Sequence, residues 1–250
     1  MSKFLTLSLS AIACGGILAG CSSSSSPAPT TTLPSSPLLS KSGTTIVALS
    51  NATMLAKGSV DVTQTQKADG LSVTVELNSG RTSAVERYTG AVGKGTVTFV
   101  GGKLYVVGDT TFLKSQFATG SNYASWAGVA IEVPRTDPNY ANLAQGLLLP
   151  AFLTVSSPIA PLRVVGVARF HGTAAVKVNG AINTRYANGA TGTLSYYYGL
   201  HAPILPIGAT GKLLDGTLTG TTVITFKSFG QPVQAVAPSH PFLASSTTLG

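Results

Sequence analysis

The chain of 250 residues holds two cysteines, and the setting of one of them names a reaction. A short start carrying only Lys3 runs into the apolar stretch Phe4 to Ala13, too short for a confident membrane span and placed as the h-region of an export signal. The stretch ends in Leu18-Ala19-Gly20-Cys21, the Leu-small-small-Cys pattern of a lipobox. That pattern predicts a thioether between the Cys21 sulfur and diacylglycerol, followed by removal of residues 1–20. Cys14 is a poorer candidate, because bulky Ile12 precedes it where a small residue is wanted and its h-region would be shorter. The alternative is ordinary secretion with a free thiol.

The remaining reactive side chains are few. Eight carboxylates and three histidines are thin material for a catalytic constellation. Asp109 and Asp137 stand where helix caps are expected, and Glu76 and Glu132 occupy wet strand positions. Nothing points to a carboxylate pair of the kind that hydrolyses glycosides. His171, His201 and His240 lack metal-ligand spacing. No Gly-x-Ser-x-Gly elbow is present, and Gly90-Ala91-Val92-Gly93-Lys94-Gly95 lies between strand-like segments, where it reads as turns instead of a phosphate cradle. The expectation is no catalytic residue, no metal and no cofactor, hence not an enzyme.

Loss of residues 1–20 would also remove Cys14, so no disulfide could form and the core alone must hold the 230 residues left. The formal charge of +8 falls by one with Lys3. Its Lys and Arg are scattered without a basic run, which argues against nucleic acid and for anionic head groups or wall polymers as neighbours. The expected place is the cell membrane, on its extracytoplasmic side, held by lipid.

The elements that must position any site follow from periodicity. Residues 21–42 are the lipidated Cys21 and a Ser/Thr/Pro-rich tether, with a reach of about 25 Å for some twenty flexible residues. Residues 43–250 are read as one domain. A helix is predicted over Thr44–Lys57 with Gly58 as its stop. Leu71, Val73, Val75 and Leu77 alternate with polar residues as a half-buried strand. Thr96–Val100 and Leu104–Val107 flank Gly101-Gly102 as a hairpin. Asp109 caps a short helix through Phe112, Leu113 and Phe117. Trp126 with Val129–Val133 reads as a short edge strand. Asp137-Pro138 opens a helix carrying Tyr140, Leu143, Leu147 and Leu148. After Phe152, strands are predicted at Leu162–Phe170, Thr173–Val178, Thr193–Tyr198, Thr222–Phe226 and Val233–Val236. The order is α+β with one large antiparallel sheet.

Several local runs resemble the actinobacterial lipoprotein family that includes the mycobacterial LppX, LprA, LprF and LprG proteins, related in fold to the LolA/LolB carriers. The runs are Tyr105-Val106-Val107-Gly108-Asp109, Phe112-Leu113, Trp126 and Asp137-Pro138 in the first half. Near the end they are Leu205-Pro206, Val223-Ile224-Thr225-Phe226 and Gly230-Gln231-Pro232-Val233 running to Ala237-Pro238. Tyr196–Tyr198 and Pro203–Lys212 depart from the family pattern. The resemblance implies a half-barrel, a curved antiparallel sheet with helices packed on its concave face and an apolar pocket for acyl chains between them.

With 44% hydrophobic and 10% charged residues, the apolar side chains must fill a thick core or surround a cavity. In the carrier reading, Val73, Val75 and Leu77 from the strand and Leu143, Leu147, Leu148 and Phe152 from the helical region line a pocket for acyl lipid. In the alternative, the domain is a non-catalytic envelope adapter with a closed core and exposed aromatics, among them Tyr196–Tyr198, as its binding patch.

Overall fold

The computed structural model describes residues 33–117, 123–183, 191–215 and 218–243. The lipobox and Cys21 lie outside the described residues. The chain enters through Ser36, whose side chain accepts from Leu38 N–H at 3.2 Å and starts a 3-10 turn over Pro37–Ser40. Ser36 Oγ donates to the Leu200 carbonyl at 2.6 Å, and Leu38 is buried in the core. The last part of the stretch read as tether is therefore docked on the domain.

Helix α1 runs from Gly43 to Lys57, within a residue of its predicted start. Ser42 caps it by accepting from Thr45 N–H, and Gly58 ends it in the left-handed conformation that glycine adopts without strain. Among the described residues twelve strands follow, with four short helices among them. The first five strands are β1 (Ser59–Ala68), β2 (Leu71–Gly80), β3 (Ala84–Gly90), β4 (Gly95–Val100) and β5 (Lys103–Gly108). Gly101 and Gly102 both have positive φ, as the primed β4–β5 turn requires. Next come α2 (Thr110–Gln116), α3 (Tyr123–Trp126), β6 (Ile131–Val133), α4 (Tyr140–Ala144) and α5 (Leu149–Ser156). The last strands are β7 (Ile159–Phe170), β8 (Thr173–Ala181), β9 (Thr191–Tyr198), β10 (Pro206–Asp215), β11 (Leu218–Phe229) and β12 (Phe242–Leu243).

All twelve belong to one sheet in the order β12-β6-β5-β4-β3-β2-β1-β11-β10-β9-β8-β7. Every pairing is antiparallel except β12 on β6, and β12 and β7 stay unjoined, so the sheet is an open half-barrel. Strand-to-strand twist accumulated over so many strands curls it around the helices. The concave face follows the period of two: Val73, Val75 and Leu77 on β2, Val60 and Val62 on β1, and Tyr196 and Tyr198 on β9 all join one buried cluster with residues of α1, α2 and α5. This is the α+β half-barrel read from the sequence.

Details differ from expectation for local reasons. The predicted Asp137 helix is two helices, because Gly146 takes a positive φ and Pro150 opens a new first turn. Asp137 precedes them in an Asx turn, accepting from Asn139 N–H at 2.7 Å. Strands β1, β3 and β10 lie outside the predicted strands. Val233–Val236 is not a strand, and the chain instead reaches β6 through β12, so β6 is not an edge.

Candidate functional site

An alternating strand normally keeps one residue type per face, and β1 breaks that habit. Its concave-face positions run Val60, Val62, Gln64, Gln66, all buried. Apolar packing thus gives way to two carboxamides in the second half of the strand. Register extends the change sideways. Gln64 lies between Val75 on β2 and Ile224 on β11, while Gln66 lies between Val73 and Thr222. Thr222 in turn faces Gly211 on β10, which faces Leu194 on β9. Gln64 Nε2 donates to Thr222 Oγ1 at 3.2 Å, joining β1 to β11 by side chains as well as backbone.

Over this row the C-terminal turn of α5 stands clear of the sheet and leaves a cleft. Its sheet side is Gln64, Gln66, Leu194, Leu213, Thr222 and Ile224, and its other wall is Val155 and Ser156 of α5 with Ile182 and Asn183 after β8. The space unfilled by atoms is about 480 Å³, part of it open to solvent. Gly211 sets the depth of the floor: a Cβ there would lie 2.7 Å from Leu194 Cδ2 and 2.9 Å from Thr222 Cγ2. A larger residue would therefore push two cleft residues aside.

Side-chain bonds hold the α5 wall in place. Tyr196 O–H donates to the Ser156 carbonyl, and Asn183 Nδ2 donates to the Thr154 carbonyl at 3.3 Å. Asn51 of α1 donates to Ser157 Oγ at 3.0 Å just past the helix end. Burial raises the Tyr196 phenol well above its ordinary value, outweighing the opposing effect of its bond to Ser156, so it stays a donor at neutral pH. Among the described residues, none of the ten that line the cleft is acidic, basic or histidine. Such walls can bury an apolar chain and exchange neutral hydrogen bonds, but they offer no general acid, base or nucleophile of matched pKa.

The residues predicted to line a cavity lie elsewhere. Val73, Val75, Leu77, Leu143, Leu147 and Phe152 are buried in the main cluster and Leu148 packs against its margin. None of the seven lines the cleft. Tyr196, Tyr197 and Tyr198 are buried, not exposed: Tyr196 and Tyr198 stack on the concave side, and Tyr197 packs with Phe170 on the outer face. The exposed patch suggested for them is thus corrected by β9 lying inside the sheet, covered on both faces.

Other titratable groups stand apart from the cleft. Glu86 and Tyr88 are buried on the concave face of β3, and burial, then the charge of Glu86, pushes the Tyr88 phenol well above its ordinary value. Tyr88 packs at 5.2 Å on Phe112, whose ring fills the space left by Gly95 and Gly108. The three histidines are exposed, two of them in turns with positive φ. Among the described residues, no group of three or more His, Cys, Asp or Glu could hold a metal ion.

No family model and no curated protein match the chain. Solved structures do align with it. LprF from Mycobacterium bovis aligns over 79% of this chain and 97% of its own, at 14% identity and a TM-score of 0.47. An uncharacterized conserved protein from Thermus thermophilus aligns over 80% and 97%, at 11% identity and a TM-score of 0.44. A LolA superfamily protein from Nitrosomonas europaea aligns over 78% and 95%, at 10% identity and a TM-score of 0.30. The likeness lies in the fold, and both groups named from the sequence motifs are among these structures.

Among the described residues no helix is long and apolar enough to cross a membrane. Of the cleft residues missed by sequence reasoning, Gln64 and Gln66 carry one signal, a strand whose buried face turns from Val to Gln without losing its alternation.

Proposed function

We propose that this chain is an extracytoplasmic lipoprotein, anchored through diacylglycerol on Cys21, that binds an acyl lipid in the cleft between α5 and the sheet. The observation that carries the reading is the cleft itself, an uncharged and largely apolar space in a chain whose other concave-face residues are closely packed. Burying methylenes there contributes about 0.8 kcal/mol each before ordering costs. In this reading Val73 and Val75 back the cleft, as the cross-strand neighbours of Gln66 and Gln64. The chain between Cys21 and Ser36 would act as the tether, with a reach of about 20 Å if flexible, enough to keep the cleft near a bilayer. The role proposed with it is carriage of the lipid between membrane and cell envelope.

The closed main core favours a second reading, a non-catalytic envelope adapter whose cleft is incidental. One experiment separates them. The protein lacking residues 1–21, produced in a lipid-containing host, is expected to retain lipid in native mass spectrometry. Leu213→Trp, which fills the cleft, is expected to lose it. A wild-type protein that carries no lipid and binds no fluorescent acyl probe would leave only the adapter.

A further inference from the structure

Three exposed leucines stand where the tether joins the domain. Leu33, Leu39 and Leu49 are 41%, 42% and 40% exposed. Leucines exposed singly are ordinary on a folded domain, but these follow one another through the entering chain, the 3-10 turn and α1. The helix adds to them. Lys57 is its only charged residue, so the exposed positions Thr45, Ala48, Leu49 and Ala52 present no charge to solvent. An outward helix face usually carries charged side chains. α1 rests on the edge strand β7, where a Cβ on Gly43 would lie 2.9 Å from Leu162 Cβ. On that strand Val165 is exposed as well.

Charge is distributed unevenly too. Between Cys21 and Val60, and again between Pro138 and Leu214, the chain has no Asp or Glu. The eight acids all fall elsewhere and nearly balance the Lys and Arg beside them, so the net charge of +8 resides almost wholly in these two stretches. The stretches build α1, α5 and strands β7, β8 and β9, and they leave Lys41, Lys57 and Arg163 exposed.

We infer that this flank, the tether root with the outward face of α1 and the edge of β7, lies against an anionic bilayer. Leu33, Leu39 and Leu49 enter the head-group region, and Lys41, Lys57 and Arg163 face lipid phosphates. The path of the chain names the occupant. A tether of about 20 Å between Cys21 and Ser36 holds the tether root closer to the anchoring lipid than the rest of the domain, at an effective concentration that suits a small patch. The inference rests on the Cys21 anchor proposed above and not on lipid binding in the cleft. The two are neighbours all the same: Ala181, the cross-strand partner of Ile159 on β7, leads directly into Ile182 and Asn183 of the cleft wall.

The test sediments the protein lacking residues 1–21, which keeps every described residue, with vesicles at low ionic strength. Vesicles of phosphatidylcholine with about 30% phosphatidylglycerol are expected to bind it at least about tenfold tighter than phosphatidylcholine alone, and about 0.5 M salt is expected to release it. The double variant Leu39→Glu, Leu49→Glu is expected to weaken binding to the anionic vesicles at least about tenfold. The control Leu71→Glu, Leu214→Glu adds the same charge at leucines 38% and 47% exposed outside the flank. It is expected to weaken binding less than about threefold. All four leucines are exposed, and circular dichroism checks that both variants are folded. Absence of binding by the unmodified protein, or equal losses in the two variants, overturns the inference. So does a Leu39→Glu, Leu49→Glu protein that still binds vesicles but turns from dimer to monomer, which would make the flank an interface between copies of this chain. Lipid retained in native mass spectrometry judges the cleft separately. Retention without vesicle binding removes the docking flank alone, and vesicle binding without retention removes the cleft reading alone.

Discussion

The carboxylate of Asp109 accepts from Phe112 N–H at 2.7 Å and from Lys94 N–H at 2.8 Å. It thus caps α2 and ties that helix to the β3–β4 turn. These backbone bonds, with Phe112 first and Lys94 second, hold its pKa below the usual aspartate value. Because the folded pKa is lowered, the stabilisation is complete above the unfolded value of about 3.9 and is lost as pH falls through the folded one. Asp109→Ala is expected to lower stability by about 1–2 kcal/mol at neutral pH in urea unfolding, and Asp109→Asn by less. The gap between wild type and Asp109→Ala should narrow as pH drops below about 4, and a gap that stays constant there would remove the charge from the explanation. Half of this was legible in the sequence. A cap is decided within four residues, so residue type and position suffice to read it. The bond to Lys94 depends on a turn fifteen positions earlier that only the folded sheet brings near.

The same split between local and distant causes governs the elements. Strand β2 and the β4–β5 hairpin were legible because Val73, Val75 and Leu77 give β2 an apolar run on its buried face and the turn glycines of the hairpin are adjacent in sequence. Strands β1, β3 and β10 were not, and each has a weak buried face. β1 turns from Val62 to Gln64 and Gln66, β3 places Glu86 between Ala84 and Tyr88, and β10 offers Ala209 and Gly211 before Leu213. Hydrophobic periodicity fades wherever the concave face is polar or small. Two of those strands, β1 and β10, supply cleft residues, so the blind spots of pattern reading fall on the candidate site. The tether root shows the opposite error, since a polar, Pro-rich composition hid one anchoring leucine. Leu38 is buried and Ser36 bonds to Leu200. A chain beginning at residue 33 is therefore expected to be more stable than one beginning at 43, and Leu38→Ala should cost about 2–5 kcal/mol in denaturant unfolding. Equal midpoints for the two chains would mean that the 3-10 turn contributes nothing to the fold.

At the scale of the whole sheet, three buried phenols report on whether the half-barrel behaves as one unit. Tyr88 stands on β3 and Tyr196 and Tyr198 on β9, with β2, β1, β11 and β10 between them. Burial is the first cause raising all three; the charge of Glu86 adds to it at Tyr88, and Tyr196 adds to it at Tyr198. A raised folded pKa keeps each phenol protonated after the unfolded chain has begun to ionise at about pH 10. The unfolded state then binds fewer protons than the folded one, so stability is unaffected below that pH and falls as pH rises above it. Ionisation of these three tyrosines, out of eight in the chain, is therefore expected only with unfolding. In an alkaline titration their share of the phenolate absorbance should rise in one steep step that coincides with the loss of far-ultraviolet circular dichroism. The triple variant Tyr88→Phe, Tyr196→Phe, Tyr198→Phe should lack that share of the step. If the β3 and β9 regions open independently, Tyr88→Phe alone will delete one of two separate steps. A gradual rise with the fold intact would mean that water already reaches these rings, and the closed core around them would have to be abandoned.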